Sequence, residues 1–482
     1  MCKQIFLILI TISLFMASCT KNLSGLNVNP KAFPSVPAVT LFTRGEMNLV
    51  DDYTSTSVGS APFRVLAQEW TENNYIYEAQ YNFSAYNAPN GWWNNLYQIA
   101  LANLVEAKKY YSRDVLDPIE INNDNIITDI LEVYAFDMLV ATYGPIPYSE
   151  AFNDSIPFPK YDDEKTIYTD LLLRLDTCIA GINTSGASMG NADQIYFGNM
   201  TEWKKFAATL KLKIAMRLAD VDPTTASQKV LEAINAGVFT SNKDNASMPF
   251  KSTSPSTNAS MLWQALVYSG RHDFCPANYL VNTMLEWNDP RLPLYFSLDK
   301  SGNYSGGVPG QGNSYGTFST FSAQMLDPSY PGTILNYSQA EFLQAEAAER
   351  GFITDNPAAH YDSAVTASIK FWGDTAAADA AAYLAQPEVA YATAAGTWQQ
   401  KLGYQEWIAN YNMNWDSWTD IRRLGYPDLN TVNPPVRAQG NLPLRYTYPS
   451  NESGSNKTNY DNGVSMLKGG EDLTSGKLYW MK

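Results

Sequence analysis

Histidine is almost missing from these 482 residues: only His272 and His360 occur. With no second histidine near either, neither an HExxH zinc site nor a His-centred nucleophilic triad can be drawn. Cysteine is scarce as well, at four residues. Cys2 and Cys19 lie near the N-terminus, which leaves Cys178 and Cys275, far apart in a large chain; buried thiols are the expectation and one disulfide the alternative. Positive charge is outnumbered, with 33 Lys and Arg against 48 Asp and Glu and a formal net charge of -15. A phosphate-backbone partner needs concentrated cations, so nucleic acid is set aside. There is no GxxxxGK[ST], and GGVPGQG at 306–312 lacks the lysine and the strand-to-helix setting of a phosphate cradle. The acidic runs Asp51-Asp52 and Asp162-Asp163-Glu164 could attract a cation, but each is placed at an expected helix start, where carboxylates favour the dipole. No metal site, cofactor or catalytic residue is assigned.

Long apolar runs are limited to one, IFLILITISLFM from Ile5 to Met16, preceded by Lys3. It is too short to span a bilayer and suits the hydrophobic part of a signal peptide. It runs into Met16-Ala17-Ser18-Cys19, which resembles a bacterial lipobox, in which the cysteine becomes the acylated first residue. Residues 1–18 are therefore expected to be a signal peptide and Cys19 a lipidation site. Residues 19–40, with Pro30, Pro34 and Pro37 and no periodicity, are expected to be a tether reaching from a membrane.

What the chain has in quantity is aromatic surface: 31 Tyr and 12 Trp. It also has helical rhythm. Trp93, Leu96, Tyr97, Ala100, Leu101 and Leu104 recur at the spacing of one helix face, and a second helix is expected from about Asn125, with Ile127, Ile130, Leu131, Tyr134, Met138 and Leu139, up to Gly144-Pro145. Further helices are expected over DDEKTIYTDLLLRLDTCIAGI and TEWKKFAATLKLKIAMRLAD, and from Pro223 to Gly237. From Asn336 to Gly373 two helices are joined by a turn. Asn356-Pro357 reads as a start, Gly351 and Gly373 as stops, and Tyr361, Ala364, Val365, Ser368, Ile369 and Trp372 as the buried face. Small residues such as Ala345 and Ala347 let a neighbouring helix approach closely. Helical hairpins at intervals of roughly 40 residues suggest a tetratricopeptide-like array in spacing rather than in letters. The expected fold is mainly α: one domain over 41–482, with a helical hairpin scaffold at 88–240 and 336–427. A large loop-rich insert at 241–335 and an irregular tail at 428–482 complete it.

A loop-rich part of that size is a natural binding surface. Stacking on sugar rings needs flat aromatic faces with polar groups converging on hydroxyls. The first candidate stretch supplies Tyr75, Tyr77, Tyr81 and Tyr86; the second supplies Trp263, Tyr268, Arg271, His272, Asp273 and Tyr315. The alternative for each ring is packing of its loop onto the helices. Trp93, Trp203 and Trp372, on helical apolar faces, are expected in the core, and Trp418, Asp420, Arg422 and Arg423 as a structural pairing at a helix end. His360, at a helix start, is expected to be solvated.

Four segments in order behind the lipobox resemble the SusD/RagB family of outer-membrane lipoproteins: Leu26-Asn27-Val28-Asn29-Pro30; Tyr143-Gly144-Pro145-Ile146-Pro147-Tyr148-Ser149; Ala345-Glu346-Ala347 with Arg350-Gly351 and the Tyr361 to Trp372 helix; and Trp418 through Pro427. The resemblance implies a non-enzymatic protein, lipid-anchored at the outer membrane and facing the cell exterior, with a tetratricopeptide-like scaffold and a loop-borne ligand site. It also implies a partner, a SusC-like TonB-dependent barrel, to which captured oligosaccharide passes. Three other readings stay open: a peptide ligand on the same fold, a glycosidase with two carboxylates, and a scaffold that binds only protein.

Overall fold

The computed structural model describes residues 35–252, 258–373 and 377–482. The expected signal peptide, Cys19, most of the tether and Leu26 to Pro30 lie outside the described residues. The first helix among the described residues, α1 (Ala38–Thr54), starts before position 41, so the last residues assigned to the tether belong to it. The Ala38 amide donates to Asp114 at 2.8 Å.

Three helical segments, Ala88–Asn94, Asn95–Leu101 and Ala102–Lys108, follow one another, the middle one wound in wider π turns. All six residues of the expected apolar face there are buried, as are Trp203 and Trp372. The next helix, α2 (Pro118–Tyr143), begins well before Asn125, because Asp117 accepts from the Ile119 amide and Pro118 takes the first position. Its polar first turns carry no apolar rhythm, which hid them. Next come α3 (Glu164–Gly181), α4 (Met200–Arg217) and α5 (Pro223–Ala236). After the loop-rich part, which holds α6 (Asn278–Glu286), come α7 (Tyr337–Glu349), α8 (Pro357–Phe371), α9 (Trp398–Ala409), α10 (Trp415–Leu424) and α11 (Lys457–Met466). Neighbours pair as hairpins: α2 with α3, α4 with α5, α7 with α8, α9 with α10.

The α7–α8 hairpin shows why these residues fold this way. Asn336 accepts from the Gln339 amide while the Gln339 side chain accepts from the Asn336 amide, a reciprocal capping box. Asn356 caps α8 ahead of Pro357. Gly351 and Gly373 adopt φ of +71° and +105°, the left-handed geometry that ends a helix. Ala345 and Ala347 are fully buried. Arg423 of α10 pairs with Glu346 of α7 and, at 3.2 Å, with Asp420, while the Arg422 guanidinium lies 3.3 Å from the centre of the Trp418 ring. The motif is a structural clasp between helices.

Among the described residues strands are few and short. β1 (Trp70–Glu72) pairs antiparallel with β3 (Phe274–Pro276), and β2 (Ala246–Met248) with β4 (Gly332–Leu335). Two further ladders are two residues long.

Four expectations need correction. His360 is not simply solvated: its Nδ1 lies 2.7 Å from Glu341 of α7 and its Nε2 3.4 Å from Asp355, a pairing across the hairpin that no local pattern announces. Asp51 and Asp52 sit in the last turn of α1 rather than at a helix start, and Asp52 accepts from Asn95 at 2.6 Å. Asp163, by contrast, does cap α3. The tail after 428, irregular over most of its length, is not wholly so. It carries α11, buries Tyr446, Tyr448, Leu478 and Trp480, and sends the fully buried Arg445 to the Tyr143 carbonyl at 2.8 Å and to Asp472 at 2.5 Å. Those rings bury without a helical period, so a Pro-, Asn- and Gly-rich sequence concealed them. Lastly, the start of the folded unit moves to Ala38. Cys178 and Cys275 are free, buried thiols.

Candidate functional site

The β1–β3 ladder brings the two aromatic stretches together. Thr71 faces Cys275 and Glu72 faces Phe274, so the chain after β1 (73–87) and the chain before β3 (264–273) leave the ladder at the same end. Asn73 fastens them. Its amide donates to the Asp273 carbonyl at 2.6 Å, and its side chain donates to the carbonyls of His272 and Phe274 at 2.9 and 3.1 Å. A third segment joins through Asn313, whose side chain donates to the Glu72 carbonyl at 2.9 Å and whose amide donates to that of Asn73 at 3.1 Å.

Beside this junction lies an open cavity of about 530 Å³, in the size range of small-ligand sites. Tyr75, Tyr86, Arg271 and Asp273, four of the ten expected ligand residues, line it. Tyr75 is 59% exposed and Tyr86 40% exposed. Tyr75 holds φ at +58°, the left-handed region that a bulky residue seldom occupies. Such strain persists only where the surroundings over-determine it, and it clusters at ligand sites. Arg271 Nε donates to Asp273 at 2.5 Å, while its terminal nitrogens donate to no protein group among the described residues. A ligand acceptor placed there would meet a guanidinium already oriented by its carboxylate.

Five more candidates lie beside the cavity without lining it. Tyr77 packs edge-on against Tyr86 at 6.3 Å. Trp263 and the well-exposed Tyr268 stack at 5.3 Å, and His272 and Tyr315 lie face to face at 3.7 Å and 8°. Tyr81 needs correction: it is 6% exposed, accepts a 3.4 Å hydrogen bond from Gln68, and offers no face to a ligand. Its loop turns back at that residue, φ +61°, and buries the ring as an anchor.

Sequence reasoning missed Glu72, Asn74, Ser269, Leu266 and the 56–59 loop, all of which line the cavity. Asn74 adjoins Tyr75 and could have been found by that neighbourhood. The loop could not: it is held in place because Gly91 lets the next helix press on it, where a Cβ would collide with the Gly59 carbonyl. Glu72 is 2% exposed and Glu78, behind it, is fully buried. Burial pushes both carboxyls above their ordinary range, Glu72 further because Glu78 and Asp273 sit near it. Glu72 Oε2 accepts from the Ala79 amide at 3.0 Å. Among the described residues no group of three or more His, Cys, Asp or Glu side chains could hold a metal ion, and no helix is long and apolar enough to cross a membrane.

Solved structures share this architecture. The chain is similar to a chitin-binding protein, at 26% identity and a TM-score of 0.79, with 92% of this chain and 99% of that one covered. It is similar to a SusD homolog from Bacteroides uniformis ATCC 8492, at 25% identity and a TM-score of 0.76, covering 93% and 100%. It is similar in fold to a chitin-binding SusD homolog from Flavobacterium johnsoniae, at 23% identity and a TM-score of 0.77, covering 91% and 98%. Comparison with curated proteins gives no match. A SusD-like family model, described as starch-binding and associating with the outer membrane, matches residues 30–449. That match spans most of the sequence and agrees with the helical hairpin scaffold, so the chain belongs to the SusD-like family.

Proposed function

We propose that this protein is a non-enzymatic, lipid-anchored nutrient-binding protein of the cell surface. It captures an oligosaccharide in the cleft of Tyr75, Tyr86, Arg271 and Asp273 and passes it to a SusC-like TonB-dependent barrel. The family is one of carbohydrate-binding, outer-membrane-associated proteins, which supports the ligand class. The observation that carries the reading is the convergence of two distant Tyr-rich and polar stretches on one cavity of about 530 Å³. Exposed tyrosine faces supply stacking surface, and the Arg271–Asp273 pair supplies donors and acceptors for hydroxyl groups. The similarity to a chitin-binding protein favours N-acetylhexosamine chains among the ligands to try. Binding rather than hydrolysis is supported by the state of the cavity's carboxylates: Asp273 is paired to Arg271, and Glu72 accepts from the Ala79 amide.

The test is calorimetric titration with a broad glycan panel and a peptide mixture, followed by product analysis. Saccharide binding without turnover supports the reading. Release of shortened sugars would overturn the non-enzymatic part, and affinity for peptides alone would replace the ligand class. Co-purification of a native barrel transporter with the protein, lost when Cys19→Ala releases it from the membrane, tests the anchored partnership.

A further inference from the structure

A second cleft lies on the helical side of the molecule, between α6, α9 and the 386–396 loop, and shares no lining residue with the first. Its volume is about 480 Å³. The half-buried rings of Trp287 and Tyr404 form one wall, with centroids 5.7 Å apart. The Tyr404 hydroxyl is fixed by a 2.8 Å hydrogen bond with that of Tyr279, which also lines the cleft. The Tyr404 ring is therefore held in place rather than free to rotate.

Among the polar side chains that line the cleft are Asn282 and Glu286 from α6, Glu388 from the loop, and Gln400 from α9. None of these four makes a side-chain hydrogen bond or ion pair with protein among the described residues; Asn282, Glu286 and Glu388 are exposed and Gln400 is partly buried, so all four are open to a ligand. The nearby cation is already engaged, since Lys401 donates to the Tyr391 carbonyl at 2.7 Å and lies over the Tyr391 ring. What the cleft offers is two unpaired carboxylates, two amides and an aromatic face. Carboxylates and amides accept from and donate to neighbouring hydroxyls, and an indole face stacks on the apolar side of a pyranose ring. The same two carboxylates repel uronates and sulfated sugars.

We propose that the Trp287–Tyr404 cleft is a second saccharide-binding site, selective for neutral or amino-bearing sugars over anionic ones. The ligand class rests on the carbohydrate reading of the family; the location does not depend on the first cleft. Two sites on one molecule raise the avidity for a long chain that reaches both.

The test titrates the protein with maltotriose, with triacetylchitotriose and with hexalysine. Trisaccharides are used because each is short enough to report one site. One of the two sugars is expected to bind with a stoichiometry of two. Trp287→Ala is expected to reduce that to one, and so is Asn282→Arg, which fills the cleft from an exposed position and leaves the core untouched. Tyr75→Ala is expected to remove the other site. A stoichiometry of one that Tyr75→Ala abolishes and Asn282→Arg leaves alone would overturn this proposal and leave the first cleft standing. Hexalysine binding that Asn282→Arg removes, with no sugar bound there, would also overturn it. Binding lost only through Trp287→Ala and Asn282→Arg would instead support this cleft and overturn the first. No binding of either sugar would overturn both.

Discussion

The Asn73 side-chain amide donates to the His272 carbonyl at 2.9 Å, across 199 residues of chain. That bond, with its companion to the Phe274 carbonyl, sets the distance between the two stretches that line the first cleft. Asn73→Ala leaves two carbonyls without their donor, and such a loss costs about 1–3 kcal/mol. Chemical denaturation is expected to show that loss, and ligand affinity at a temperature where the variant is folded is expected to fall as well. Unchanged affinity would mean that the ladder alone positions the cleft.

Tyr75 is strained at φ +58° and exposed, so its ring contributes little to folding. Tyr75→Gly removes a left-handed penalty of roughly 1–2 kcal/mol, offset in part by the chain freedom that glycine adds. The variant is expected to be as stable as the parent, or slightly more so, and to bind the ligand at least several-fold more weakly. A marked fall in the melting temperature with affinity intact would assign the ring to loop packing.

The α7–α8 hairpin belongs to the scaffold. Ala345→Leu or Ala347→Leu overpacks a fully buried contact and is expected to cost about 1–3 kcal/mol, with ligand affinity of the folded fraction unchanged. Full stability with lost binding would contradict that assignment.

Several buried carboxyls titrate late. Burial pushes Asp52 and Glu69 up to about 7 and Glu164 up to about 8, and it raises Glu72 and Glu78 beside the cleft. His360 is raised as well, chiefly by its hydrogen bond with Glu341. In each case the folded chain keeps a proton that the unfolded chain releases at lower pH. Stability is therefore expected to fall as pH rises between about 5 and 8. Asp129, held down to about 2, acts in the opposite sense but below that window. Urea unfolding across the range checks the sign; a midpoint that rose with pH would contradict it.

The scaffold was legible because its signals are local. Asn356-Pro357, Gly351 and the Tyr361 to Trp372 rhythm act within one or two turns of helix, and the structure places each where the pattern does. The cleft was legible only in its aromatic halves. That Tyr75 and Arg271 line one cavity depends on a three-residue ladder between positions 70–72 and 274–276, too short to leave a strand pattern. Tyr81 and Tyr86 look alike in sequence, yet one anchors the loop and the other lines the cavity, a difference set by where the chain reverses. Glu72 carries no local signal in the sequence, since its place beside the cavity and near Glu78 is set by the same short ladder.

The central claim, that the Tyr75–Arg271 cleft holds a saccharide, is tested most directly by titrating an oligosaccharide that the parent protein binds into the Tyr86→Ala and Arg271→Ala variants. Both positions are exposed, so both variants are expected to fold with unchanged melting temperatures. Loss of one stacking face costs about 1–3 kcal/mol by analogy with base stacking, and loss of a hydrogen bond to a charged group about 1.5–3 kcal/mol, so the account predicts affinity lowered by roughly five-fold or more in each. Parent-like affinity in both variants would contradict it.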